Sequence, residues 1–378
     1  MGEPTGTSEK FCEQMSMAAK YYFESEHGVK IHDNSITMIP LQGEGKVEER
    51  VDKLFNSLVN NPAWMSALIS ADVILWATHS QGTPVSTLLL RRLLDRELVN
   101  VQRQAVSLLA MAGICYGPFP TLKGSLIVKY FEADAARELF EFMDSNSTIS
   151  QKFADSLGYI LRRGIKTTLI GSMQDQVVPL YSAIMTGTSH PNILRGMYID
   201  SHIYSQDDFL ISIISFALRL RNVGLSDHGL LTHISEVLAG NLYSLEGGHS
   251  TIYEELDVYV IAVRHLFETA PFGQQKLVCS YVSSDAVVNL TDKRSLSASK
   301  DLITPMEAKI DPFQSKVRLN PFYLPWAMRG IFDDTRISND PILSQELKNL
   351  KVLYDSWSPA SAKLREIKFR LEPLKAKL

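Results

Sequence analysis

The chain has 378 residues, 45% hydrophobic and 21% charged, enough to bury one large core or two smaller ones. Its net charge is −4, and no basic run is interleaved with aromatics, which argues against nucleic acid as the main partner. Cys12, Cys115 and Cys279 are too few and too far apart for a disulfide framework or a metal site, and point to a reducing compartment.

The opening MGEPTGTSEKF has neither the charged nor the apolar region of a signal peptide. No apolar run reaches the roughly 18–20 residues that span a bilayer. The expected setting is therefore intracellular, cytoplasmic or peripheral to a membrane. Met1-Gly2 opens like a myristoylation signal, but Gly6 stands where Ser or Thr is needed.

Residues 8–26 read as a helix, with Phe11, Met15, Ala19, Tyr22 and Phe23 on one face. SITMIPL (35–41) reads as a short strand, followed by the Gly-rich turn LQGEG. Val47, Val51, Leu54, Phe55 and Leu58 mark an amphipathic helix. ADVILWA (71–77) is a continuous apolar run of the kind buried on both faces of a parallel sheet. A helix from Thr83 to about Leu94 and a buried strand, AVSLLAMAG (105–113), come next. Strand alternating with helix predicts an α/β domain, a mostly parallel sheet with helices on both faces.

Residues 114–163 break the rhythm. A loop, CYGPFPTLKG, precedes two helical patterns near 132–144 and 149–162, which read as a lid-like insert. The alternation resumes with KTTLIGS (166–172), a helix near 179–187 and ILRGMYID (193–200). A second helical insert covers about 201–240, and a long amphipathic helix ends near 267. Residues 1–270 thus form the main domain, 271–315 an irregular polar linker, and 316–378 a C-terminal extension. That extension holds the aromatic cluster NPFYLPWAMRGIF (320–332) and a basic helical end. It reads either as a packing strap or as a peripheral membrane contact.

Three short stretches carry chemistry. In THSQG (78–82), Ser80 lies between a buried strand and a helix, where a sharp turn exposes a hydroxyl and the helix N-terminus faces developing negative charge. Gly82 fills the second small position of such an elbow; Thr78 occupies the first, a departure. His79 is its packing neighbour. In GSMQDQVVP (171–179), Asp175 follows a strand and could orient an imidazole, or merely cap a helix. In LEGGHST (245–251), His249 sits in a Gly-rich loop that could bring its ring to a serine, or be an ordinary polar loop residue. Asp200 is the second candidate acid. His202, His228 and His233 are competing histidines, and Asp207 and Asp208 read as a helix N-terminus. Ser80, Asp175 and His249 run in the order nucleophile, acid, base, each at a strand-end loop.

These three stretches resemble the α/β-hydrolase superfamily in its lipase and esterase branch, over about residues 1–270. GEPTGTS (2–8), IPLQGEG (39–45), THSQGTPVS and NPFYLPWAMRGIF are more narrowly similar to a largely uncharacterised fungal group of hydrolase-fold proteins regarded as lipases. The resemblance implies the α/β-hydrolase fold and a serine hydrolase acting on carboxylic esters, lipid esters among them. The triad would be Ser80, Asp175 and His249, with the Gln81 N–H as one oxyanion donor. No cofactor and no metal are implied. The fold's first strands are absent from this reading, including the one that normally lies between the strands placed at 36–40 and 73–77. The chain is therefore expected to be N-terminally incomplete, or else strand 36–40 pairs directly with 73–77. A non-catalytic hydrolase-fold binding or scaffold protein, or an inactive fragment of a longer enzyme, is the rival reading.

Overall fold

A computed structural model describes residues 7–124, 133–199, 208–239, 249–269, 307–311, 320–359 and 362–376. Its strands are β1 (Val73–His79), β2 (Ala105–Met111), β3 (Lys166–Ser172), β4 (Thr188–Ser189), β5 (Ile193–Tyr198) and β6 (Lys309–Ile310). Four of them form a parallel sheet in the order β1-β2-β3-β5, and β4 pairs antiparallel with β6. The helices up to the sheet's last cover are α1 (Thr7–His27), α2 (Val47–Val59), α3 (Pro62–Ser70), α4 (Gly82–Asp95), α5 (Ala133–Leu139), α6 (Thr148–Arg162), α7 (Leu180–Ala183), α8 (Phe209–Asn222), α9 (Leu230–Ala239) and α10 (Leu256–Glu268).

The side-chain alternation of a strand explains why β2 is apolar throughout. Val106, Leu108 and Ala110 join the core shared with α2, α4 and α6. Leu109 and Met111 point the other way, into the core shared with α1 and α10. All seven residues of β3 are buried. α6 packs along α4 and leads into β3, so the last part of the 114–163 segment serves as the crossover between β2 and β3.

Registers align the strand ends. His79 lies opposite Met111, and Met111 opposite Ile170. The loops after β1, β2 and β3 therefore emerge at one edge of the sheet, the edge where ligands bind in open α/β folds.

The segment SITMIPL does not form the expected strand. Asp33–Ser35 is a 3-10 turn, Ile36 is extended (φ −117°, ψ 123°), and residues 36–40 join no ladder. The apolar side chains that suggested a strand are used otherwise: Ile39 and Leu41 pack half-buried against the α2–α4 core. Pro40 between them has no N–H to give a ladder. Among the described residues β1 consequently pairs only with β2, and 36–40 forms no strand pairing with 73–77. β1 is also less buried than its composition predicts, with Val73 37% exposed and Leu75, Trp76 and Ala77 half-buried.

The helix expected over 179–187 is a single turn, α7. Met185 enters the left-handed region (φ 51°), and the buried Arg195 guanidinium collects the carbonyls that the short helix leaves open: Nε donates to Ile184 O at 2.7 Å and Nη2 to Met185 O at 3.2 Å.

A second core lies beyond the sheet. The C-terminal helices α11 (Leu324–Asp333), α12 (Thr335–Ser338), α13 (Pro341–Ser356), α14 (Ala362–Arg370) and α15 (Pro373–Ala376) bury Met328, Ile331, Leu350, Tyr354, Leu371 and Leu374 against Ile213 and Ile214 of α8 and Leu230 and Ile234 of α9. The described parts of the 201–240 insert and of the 316–378 extension therefore share one hydrophobic layer. Most of the 271–315 linker falls outside the described residues. Among the described residues no helix is long and apolar enough to cross a membrane.

One buried group ties this packing to pH. His265 of α10 is 5% exposed, with Nδ1 2.9 Å from the Thr168 hydroxyl of β3. Burial, with the nearby Lys166 ammonium, pushes its imidazole down to about 3. The unfolded chain protonates this group near pH 6.5 while the folded chain does not. Stability is therefore complete above about pH 6.5 and declines as the pH falls toward 3, by at most ~1.4 kcal/mol per pH unit from this residue. Urea unfolding at pH 7 and pH 5 should show a shallower acid loss in His265→Gln than in the parent; equal losses would mean that His265 is not the group titrating.

Candidate active site

The chain turns sharply where β1 meets α4. Ser80 adopts φ 54°, a left-handed conformation unusual for a residue with a side chain. The surrounding hydrogen bonds hold it there. Ser80 N donates to Met111 O at 2.9 Å, and Ser80 O accepts from Thr83 N at 3.2 Å and Ile114 N at 3.1 Å. The backbone of β2 and its following loop thus grips the turn from one side, and the first turn of α4 grips it from the other.

The Thr78 departure has a local explanation. A Cβ added to Gly82 would lie 2.5 Å from Thr78 Oγ1, so the hydroxyl occupies space that only glycine leaves. A Cβ on Gly113 would similarly lie 2.7 Å from Thr83 Oγ1, which lets the loop after β2 approach the start of α4. Gly82→Ala is expected to destabilise the fold by ~1–3 kcal/mol through this overpacking. Adding Thr78→Gly should recover most of the loss. Thermal melts of both variants check this; an unchanged melt for Gly82→Ala would refute the steric account.

Asp175 sits in the loop between β3 and α7, 5% exposed. Its Oδ1 accepts from Val177 N at 2.7 Å and Val178 N at 2.9 Å. Its Oδ2 lies 2.7 Å from His249 Nδ1, and His249 Nε2 lies 3.0 Å from Ser80 Oγ. A carboxylate only accepts, so Nδ1 carries the proton that faces Asp175, and the Nε2 lone pair is left to accept from the serine hydroxyl. The structure thus brings together the three residues that the sequence suggested, from loops separated by 95 and 74 positions along the chain.

His79 does more than pack. Its Nε2 donates to the His249 carbonyl at 2.8 Å, and its ring meets those of Tyr253 (5.0 Å) and His249 (4.6 Å). The residue next to Ser80 therefore ties down the backbone of the His249 loop. Sequence reasoning missed this bond, as it missed Ser182 of α7, whose Oγ accepts from Cys115 N at 3.2 Å and Tyr116 N at 2.8 Å and so fastens the loop after β2 to the acid side of the site. A glycine two residues past a strand, as at Gly113, is the one local signal of close backbone approach.

The competing residues lie elsewhere. His228 adopts φ 52° and faces Asp334 at 3.6 Å. His233 stacks on Tyr323 with ring centroids 4.4 Å apart, its Nδ1 donating to Gly229 O. Asp208 caps α8 through Leu210 N at 2.7 Å. Asp200, His202 and Asp207 fall outside the described residues, as do the two glycines before His249. A small apolar cavity of about 40 Å³, lined by Cys115, Tyr116, Phe142, Phe153 and Met185 among others, includes none of the three residues.

Residues 1–290, well over half of the chain, match the family model of the YMC0/YMC35 alpha/beta hydrolase domain. No curated protein matches the chain. No solved structure matches it either.

Proposed function

We propose that this chain, which belongs to the YMC0/YMC35 alpha/beta hydrolase family, is a serine hydrolase that cleaves carboxylic esters through an acyl-enzyme. The observation that carries the reading is the continuous hydrogen-bond path from Asp175 through His249 to Ser80, ending on a serine strained into the left-handed region at the start of a helix.

In this mechanism Ser80 Oγ attacks the ester carbonyl while its proton passes to His249 Nε2. Asp175 holds the ring by Nδ1 and stabilises the imidazolium. The Val177 and Val178 N–H groups keep that carboxylate oriented. The Gln81 N–H and the N-terminal end of α4 supply stabilisation for the oxyanion. The protonated His249 then releases the alcohol, and a water activated by the same nitrogen frees the acid. Lipid esters are the favoured substrate class. The support is the resemblance of the three loops to the lipase branch.

A panel of p-nitrophenyl esters of increasing acyl length, with a matched anilide, tests the proposal. The expected result is turnover of esters well above that of the anilide, with preference rising toward longer acyl chains. A folded chain that turns over none of them would remove the catalytic reading and leave a hydrolase-fold binding protein.

A further inference from the structure

We propose that the start of the C-terminal helical layer is a docking surface for an anionic lipid bilayer. Phe322, Tyr323 and Trp326 stand 67%, 45% and 64% exposed at the turn and first residues of α11. Phe322 and Trp326 are four positions apart and so share a face. The opposite side of this helix is fully used: Leu324, Ala327, Met328 and Ile331 are 0% exposed in the second core. Tyr323 still leans on His233 of α9, but Phe322 and Trp326 stay mostly outside the layer, so one short stretch keeps large aromatic surface in water.

Charge selects the occupant. The Arg370 guanidinium lies over the Phe322 ring at 5.3 Å, and that of Arg329 lies 5.9 Å from the Trp326 ring centre. Each arginine also has a carboxylate four residues away, Glu366 and Asp333 respectively, so these two pairs alone are near neutral. The excess comes from the terminal stretch. Residues 362–376, which meet this surface where Arg370 lies over Phe322 and where α15 packs on α11, carry five Lys or Arg against two Glu, a net +3 on a chain whose total is −4. Positive charge beside amphipathic aromatic rings suits the boundary between anionic headgroups and acyl chains, where Trp and Tyr concentrate and basic residues gain from the surface potential. Tyr323 stacks on His233 of α9, so this surface is joined to the layer packed beside α7, the helix after the Asp175 loop.

The test is co-sedimentation of the full chain with vesicles of phosphatidylcholine alone and of phosphatidylcholine mixed with phosphatidylserine. Binding is expected to the mixed vesicles, to be weak on phosphatidylcholine alone, and to fall as salt is raised. Phe322→Ser with Trp326→Ser should lower partitioning by ~10-fold or more without changing the thermal melt, since both side chains are exposed. Ser80→Ala should bind as the parent does, which separates this surface from the proposed chemistry. No partitioning of the folded chain into anionic vesicles would overturn the proposal. So would equal binding of the parent and the double variant. A parent dimer that the double variant dissolves, with no vesicle binding, would assign the aromatics to self-association instead.

Discussion

Replacing Ser80 by alanine is expected to lower kcat for ester hydrolysis by about 10³-fold or more, with little change in KM or in the melting temperature. The loss follows from the geometry: Ser80 Oγ is the atom that His249 Nε2 meets at 3.0 Å, and alanine removes it while leaving the backbone bonds to Met111, Thr83 and Ile114 in place. Alanine tolerates the turn about as well as serine, as Ala112 shows by adopting φ 47° in the neighbouring loop. A large kinetic loss in a chain of unchanged stability is the pattern expected of a nucleophile. A parallel loss of activity and stability would instead make Ser80 a turn residue.

Asp175→Asn is expected to cost about 10⁴-fold in kcat, although it is nearly isosteric. The reason is directional. The Val177 and Val178 N–H groups both point at Oδ1 and require an acceptor there. The amide oxygen of asparagine must take that place, which turns its NH₂ toward His249 Nδ1. The imidazole can then meet it only as an acceptor, with its proton on Nε2, and so cannot accept from Ser80. Steady-state kinetics beside a thermal melt measure this. A variant retaining more than a tenth of the parent kcat would mean that the carboxylate only shapes the loop.

The three site loops were legible in the sequence because each depends on local grammar. An apolar run stops, a small or polar residue follows, and a helix begins. What escaped was set by partners far along the chain. Thr78 looked like a defect in the elbow until Gly82 proved to leave room for its hydroxyl. His79 looked like packing because nothing local reveals a bond to the His249 carbonyl, 170 residues away. SITMIPL has the composition of a strand, but a strand is a pairing, and Ile39 and Leu41 instead pack their side chains on the α2–α4 core without one. The fusion of α8 and α9 with the C-terminal helices was hidden for the same reason, since its contacts join residues near 213 and 230 to residues near 330, 350 and 371.

The most direct test of the account is labelling of the intact chain with a fluorophosphonate probe, with the adduct mapped by mass spectrometry. The account predicts one covalent adduct on Ser80, lost in Ser80→Ala and strongly slowed in Asp175→Asn. A folded chain that takes up no probe, or carries it on a different serine, would contradict it.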